Sequence, residues 1–368
     1  MHPNPSLREL ARSLGLSHTT VSEALRASPR VKASTRERVL KAAREVGYRH
    51  NPLAGALMSE MRRSRSGTFR GVIAVIDLDG PSRRHPHAER YHRELTRGAG
   101  DRAVELGFKI ESFVIGHADI SITRLDAILK SRGIHGVFLL PASESPDLTQ
   151  LDWTRYAGVY ADYIIEHPAL HSVCSDHYRS MMMTLQRLHA LGYKRPGLVL
   201  TRHHDERLLY RWEAAFQVYH NHHRTLSWLP PLIMPDITRP EFSVWFEKAK
   251  PDVVLCHRAE AIEWMESCGA SVPGTHGFCC LNIMVNVVPC AGLDLQPWLL
   301  GVRGVELLIA QIHRNEYGVP EIPSTTTIPA AWVDGPTLRN GPATPVHQPF
   351  AGLAPILESS APFASPTP

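Results

Sequence analysis

The sequence lacks any long apolar run. None of its 368 residues lie in a stretch approaching the roughly 20 apolar positions that a membrane helix requires. The N-terminal MHPNPSLREL has no apolar core of the kind a secretory signal carries, so a cytoplasmic protein is expected. Cysteine is sparse: six residues, at 174, 256, 268, 279, 280 and 290, without a C-x-x-C pair. That excludes a disulfide framework and leaves the cysteines as small buried apolar side chains. No G-x-S-x-G, P-loop or paired dinucleotide fingerprint occurs, so neither an enzyme nor a bound cofactor is expected. Histidine is frequent, but His203-His204-Asp205 and His220-x-His222-His223 place neighbouring rings in diverging directions. No second cluster supplies matching ligand spacing, and no metal is expected.

What is present is an uneven distribution of charge. The net charge of +4 divides into +9 over residues 1–70, where fourteen Lys and Arg meet five Glu, and −5 over the rest, where 26 basic residues meet 31 acidic ones. A basic head suits a phosphate backbone, because cations that neutralise phosphates release condensed counterions. At 43% hydrophobic and 21% charged the chain is of ordinary globular composition, long enough for a small domain and a larger one.

The basic segment is patterned as three short helices. Ser6-Leu7-Arg8-Glu9 forms an S-x-x-E capping box, and Leu7, Leu10, Ala11 and Leu14 share one helical face. Gly15-Leu16-Ser17 supplies a turn and a cap for a second helix, whose Val21, Ala24 and Leu25 share a face. A second box, Ser34 to Glu37, starts a third helix with Val39, Ala42, Ala43 and Val46 inward and Gly47 at its end. A second helix so placed enters a major groove with its N-terminal side chains at the base edges, here His18, Thr19 and Thr20, followed by Ser22, Glu23 and Arg26.

The segments LGLSHTTVSEAL and RVKASTRERVLKAAREVGYRHNPLAGAL resemble the LacI/GalR family of bacterial regulators, without gaps through residues 6–58. The resemblance implies DNA contacts from Leu7, Ser17, His18, Thr19, Thr20, Ser22, Glu23, Arg26 and Arg30, and from a hinge containing Asn51, Ala54 and Leu57. It also implies that the hinge becomes helical on DNA, with Leu57 wedged into the minor groove. Asn51 is a good N-cap and Pro52 suits a first helical position, while Gly55 weakens the free helix by about 1 kcal/mol relative to alanine. Leu57 could alternatively pack against the body. Glu23 stands where the family carries an arginine; it either accepts from a cytosine N4 or pairs with Arg26.

Beyond the basic connector Arg62-Arg63-Ser64-Arg65, short apolar runs alternate with amphipathic stretches. Strands are expected at 71–76, 109–115, 136–140 and 158–161, with helices over 91–106 and 123–132. A second series follows: helix 178–191, strand 197–200, helix 206–219, strand 252–256, helix 259–267 and strand 277–281. Two α/β lobes with a ligand cleft beyond their strand ends are implied. The resemblance extends to the landmarks Val173 to Asp176, Ala190 to Tyr193, Pro251-Asp252, Val272-Pro273 and Ala331 to Gly335. It implies effector contacts from Asp77, Asp176, Arg207, Arg211, Trp212, His257 and Asn282. Three departures stand out: His177 replaces a common Asn, His257-Arg258 replaces Asn-Asp, and Asn282 stands where a sugar-binding Asp is usual.

The expected fold is an all-α helix-turn-helix head plus an α/β two-lobed body like the periplasmic binding proteins, with parallel sheets flanked by helices. The expected divisions are residues 1–50 for DNA binding, 51–69 for hinge and linker, 70–338 for effector binding and dimerisation, and 339–368 for a disordered tail with seven prolines in its last 29 residues. The expected partners are pseudo-palindromic double-stranded operator DNA, a small-molecule effector of carbohydrate type and a second copy of the chain, with no membrane. A DNA-binding regulator without an effector and a solute-binding protein are the alternatives.

Overall fold

The computed structural model describes residues 7–25, 31–45, 69–79, 86–115, 120–143, 147–163, 166–223 and 227–339, except for the side chains at 7–9, 18, 19, 22, 86 and 87. It separates into two compact units, Met1–Thr68 and Phe69–Pro368. The Pro-rich tail, the hinge residues, Ser6, Arg26, Arg30, Val46 and Gly47 lie outside the described residues.

The first unit contains α1 (Leu7–Leu14), α2 (His18–Leu25) and α3 (Ala33–Glu45). They enclose Leu10, Ala11, Val21, Ala24, Val31, Val39 and Ala43, all buried. The helical periodicity of the sequence thus converges on one small core. One expectation is corrected: α3 starts at Ala33, so Ser34 lies inside its first turn, and the helix opens with the Arg36 N–H donating to the Lys32 carbonyl. Chain entry ahead of Ser34 displaces the expected cap.

The second unit is built on two six-stranded sheets. The first lobe comprises β1 (Gly71–Asp77), α4 (Pro86–Glu105), β2 (Phe108–Val114), α5 (Ile122–Arg132), β3 (Gly136–Leu139), β4 (Ala157–Tyr160) and β5 (His171–Ser175). The second comprises α6 (His177–Ala190), β6 (Pro196–Thr201), α7 (Arg202–Glu206), α8 (Arg211–His222), β7 (Leu232–Met234), α9 (Arg239–Ala249), β8 (Val253–Cys256), α10 (Glu260–Ser267), β9 (Gly277–Cys280) and β10 (Gly292–Asp294). The chain then returns to the first lobe through α11 (Pro297–Arg314) and β11 (Thr325–Ile328), and ends in the second with β12 (Ala331–Val333).

The strand orders are β11-β5-β4-β3-β1-β2 and β12-β10-β9-β8-β6-β7, parallel throughout except for β12 against β10. Both sheets are covered on both faces, which is why their strands read as continuous apolar runs. Ile73 and Val75 face one core while Ala74 and Ile76 face the other; Phe278 and Cys280 likewise oppose Cys279 and Leu281. Five of the six cysteines are buried and all are free, in line with the apolar reading.

Two differences from the sequence expectation matter. The lobes are not consecutive in the chain, because α11 packs on α4 through close backbone approach: a Cβ on Gly98 would overlap the Trp298 carbonyl, and one on Gly301 the Leu95 carbonyl. The helix expected over 206–219 is two helices. Asp205 is buried and accepts from the backbone N–H groups of Trp212 and Glu213, and Leu209 and Tyr210 take left-handed φ of 53° and 56°, so α8 starts afresh at Arg211. The apolar period runs on across this break, which hides it in the sequence.

Three crossovers join the lobes side by side. The Ser175 hydroxyl donates to the Leu295 carbonyl (3.0 Å), the Asp176 N–H to the Ile328 carbonyl (2.7 Å) and the Gln296 side-chain amide to the Pro329 carbonyl (2.6 Å). Gln296 holds a left-handed φ of 55°. Cross-bonded crossovers of this kind form a hinge, with the backbone change confined to a few positions.

Candidate functional sites: a helical head and an interlobe cleft

In the head, Gly15 takes the left-handed φ of 63° that the α1–α2 turn requires, and the Leu16 N–H donates to the Ala11 carbonyl. The Ser17 hydroxyl then caps α2 by accepting from the Thr20 N–H at 3.0 Å. It also bonds the Thr20 hydroxyl at 2.7 Å, so that group serves the cap. The guanidinium of Arg38 on α3 donates to the Leu14 carbonyl, bracing the end of α1. The turn thus presents the N-terminus of α2, and His18, Thr19, Ser22 and Glu23 lie on that helix, Glu23 half-buried. The helix N-terminus concentrates free N–H groups and positive potential, which favour a phosphate. Leu7 lies on α1.

In the body, the lobes meet at the carboxyl ends of their strands. Arg207, in the break between α7 and α8, reaches across to Asp162 just beyond β4 (2.7 Å) and to the Ala142 carbonyl (2.8 Å). His203 on α7 donates from Nε2 to the Ser143 carbonyl at 2.7 Å. Ser143 is held by Asp79, which accepts from both its N–H and its hydroxyl. Asp162 is buried and its other oxygen accepts from the Tyr163 N–H. Burial pushes the Asp162 carboxyl up and the Arg207 guanidinium opposes this, while Asp162 holds Arg207 firmly charged.

Next to this pair, four aromatic rings form a chain on the second lobe. His177, first residue of α6, meets the Trp212 ring edge-on at 5.0 Å; Trp212 meets His257 at 5.7 Å; His257 stacks on His204 at 4.4 Å. Burial drives all three imidazoles toward the neutral form, aided by their mutual repulsion or by Arg207: His177 to about 3, His257 to about 4 and His204 well below its ordinary value. His177 Nδ1, Trp212 Nε1 and His257 Nε2 are buried without a hydrogen-bond partner. Arg211 lies 3.7 Å over the Tyr163 ring of the opposite lobe, and its Nε is also buried and unpartnered. Unpartnered buried polar atoms cost about 1–3 kcal/mol each, so a cluster of them marks a place built for a ligand or ordered water. Two depressions lie elsewhere on the body: one, near Thr184 and Trp332, encloses about 20 Å³, and the other is an open groove of about 720 Å³ beside Val104 and Trp298.

The structure therefore gathers Arg207, Arg211, Trp212 and His257 from the seven effector residues implied by resemblance. The other three each accept from a backbone N–H. Asp176 caps α6 by accepting from the Arg179 N–H, Asp77 accepts from the Asp79 N–H at the end of β1, and Asn282 caps the short turn Ile283–Val285 through the Met284 N–H. Sequence reasoning missed Asp162, Tyr163 and His204 as site residues. Asp162 was findable as the first polar residue beyond the apolar run of β4, at a strand end where such sheets bind ligands. Among the described residues no group of His, Cys, Asp or Glu is arranged to hold a metal ion, and no helix is long and apolar enough to cross a membrane.

Residues 6–51 match the family model described as bacterial regulatory proteins, lacI family. The HTH-type transcriptional regulator AglR of Rhizobium meliloti (strain 1021) is 49% identical over 103 residues, 28% of this chain and 26% of that protein. Two solved structures share the fold of nearly the whole chain. The transcriptional regulator CelR–cellobiose complex matches with a TM-score of 0.55 at 20% identity, over 90% of this chain and 99% of that one. The lac repressor dimer bound to operator and the anti-inducer ONPF matches with a TM-score of 0.54 at 16% identity, over 91% and 99%. The chain spans 26% and 64% of the first two curated relatives it matches. A helix-turn-helix head is thus followed by a two-lobed α/β body of the fold that these two structures have. The match to the lacI family covers the head, residues 6–51.

Proposed function

We propose that this protein is a cytoplasmic, sequence-specific DNA-binding transcription regulator, a repressor, acting as a homodimer on a pseudo-palindromic operator. The observation that carries this reading is the head: a glycine turn and a Ser17-capped α2, within the segment that matches the lacI family model. Base contacts are assigned to His18, Thr19, Ser22 and Glu23 on α2, with Leu7, Ser17, Thr20, Arg26 and Arg30 around them. Asn51, Ala54 and Leu57 are assigned to the minor groove at the operator centre. Two heads are needed because a two-fold operator presents two half-sites.

The body is the sensor, and its effector is a sugar or sugar derivative bound between the lobes against Arg207, Arg211, Trp212 and His257. Four unpartnered buried nitrogens in that cleft support this assignment. So do the complexes of two proteins of the same fold, with cellobiose and with ONPF. A ligand that changes the lobe angle about the three crossovers biases how paired heads engage DNA, by the 1–3 kcal/mol that is roughly typical of such coupling. No chemistry on the ligand is assigned to any residue.

The test is capture of the protein on chromosomal DNA followed by sequencing of the bound fragments. Enrichment confined to short two-fold-symmetric sites supports the reading. Uniform coverage overturns it.

A further inference from the structure

We infer that the effector is an anion, a hydroxylated carboxylate of sugar size such as a uronic or aldonic acid, with Arg211 as the residue that takes its carboxylate. This deepens the proposed cleft reading and rests on it.

The balance of donors and acceptors in the cleft points to an anion. A neutral sugar offers hydroxyls, each of which needs an acceptor as well as a donor, and carboxylates are the natural acceptors. In this cleft the described carboxylates already have protein partners, although the Oδ2 of Asp162, within ion-pair distance of Arg207, is itself buried without a hydrogen bond. Asp162 is paired with Arg207 and the Tyr163 N–H, Asp79 with Ser143, Asp205 with the first turn of α8, Asp176 with the first turn of α6, and Asp77 with the Asp79 N–H. The unpartnered buried atoms around them are chiefly nitrogens, Trp212 Nε1, Arg211 Nε, His177 Nδ1 and His257 Nε2, against the single oxygen of Asp162. The indole N–H of Trp212 can only donate, and it is buried without an acceptor.

Arg211 is the second such donor, and its situation differs from that of Arg207. Asp162 neutralises Arg207, whereas no described carboxylate lies within ion-pair distance of Arg211. Its guanidinium is stacked on Tyr163, its Nε is sealed, and burial is the only influence resolved on its charge. A planar fork held rigidly on an aromatic ring, with its charge unmatched, is arranged for bidentate carboxylate recognition. The ring nitrogens of His177 and His257 lie along the same wall, adjoining Trp212. As neutral imidazoles each offers one donor and one acceptor, which suits the hydroxyls of the same ligand. One cationic fork, one obligate N–H donor and two amphoteric rings together describe a hydroxy-acid.

The experiment is calorimetric titration of the full chain with D-glucuronate, D-galacturonate and D-gluconate, against D-glucose and D-galactose. At least one acid should bind saturably, with its neutral parent at least ten-fold weaker, and the difference should shrink at high salt. Arg211→Gln should lower affinity for that acid by about 10- to 100-fold, as expected for one charge-assisted pair. It should leave the unliganded melting temperature in place. Arg211→Lys should keep the preference for the acid at reduced affinity, separating lost charge from lost fold. Equal or tighter binding of a neutral sugar, an Arg211→Gln variant that binds the acid unchanged, or no binding by any of the three acids overturns the inference. The regulator reading is scored separately: symmetric DNA sites with neutral-sugar binding sink only the anion, and acid binding without symmetric sites sinks only the regulator.

Discussion

Acid should loosen the body of this protein well before its carboxylates titrate, because its cleft buries neutral imidazoles. His177 and His257 are held at about 3 and about 4 chiefly by burial, with His204 displaced in the same direction. In the unfolded chain each titrates near 6.5, so below that pH the unfolded chain binds more protons and stability falls as pH falls toward the folded values. Between pH 7.5 and 5.5 each imidazole of this kind removes about 1.3 kcal/mol. His177 and His257 together remove about 2.6 kcal/mol, and His204 adds to this. Urea unfolding at the two pH values, followed by tryptophan fluorescence, measures it, and all seven tryptophans lie in the body rather than the head. His257→Gln should reduce the pH difference by about 1.3 kcal/mol. A wild-type body equally stable at both pH values, or a His257→Gln variant with an unaltered difference, would refute the reasoning.

Three further outcomes are expected. Arg207→Met leaves Asp162 buried and uncompensated and should destabilise the body by about 3 kcal/mol, the low end of such losses because the Arg207 side chain is 29% exposed; adding Asp162→Asn should recover part of it in a double-mutant cycle. Gly301→Ala presses a methyl into the Leu95 carbonyl on α4 and should cost at least about 1–3 kcal/mol by urea unfolding, whereas Gly100→Ala, open to solvent, should be stabilising or neutral. Ser17→Ala removes the cap of α2 and should lower head stability by about 1 kcal/mol, visible as a lower helix-melting midpoint by circular dichroism.

Much of the fold was legible because its signals are local. The head core was set by Leu10, Val21 and Val39 at helical spacing, and β1 to β4, β6, β8 and β9 by apolar runs that the structure reproduces within one residue, whereas the strands β5, β7, β10, β11 and β12 were not read. What escaped was non-local. The return of α11 to the first lobe depends on Gly98 and Gly301 allowing two helices to touch, and nothing in either helix names its partner. The break before α8 depends on Asp205 turning its carboxylate to N–H groups seven and eight residues ahead. The cleft followed the same rule. Arg207, Arg211, Trp212 and His257 were reached through family resemblance, but Asp162 and Tyr163 come from the other lobe and become site residues only when the lobes face each other. Asp77, Asp176 and Asn282, expected to hold ligand, each accept from a nearby backbone N–H group, a use that short polar side chains at strand ends and helix starts commonly have.

The account stands most directly on whether α2 reads bases. Selection of bound sequences from random duplex DNA with the purified full chain, in parallel with a His18→Ala/Thr19→Ala variant, measures this. The expected result is a two-fold-symmetric motif for the wild type, with relaxed preference at symmetric positions in the variant. A wild type that enriches no motif, or a variant that selects the same motif with the same stringency, would contradict it.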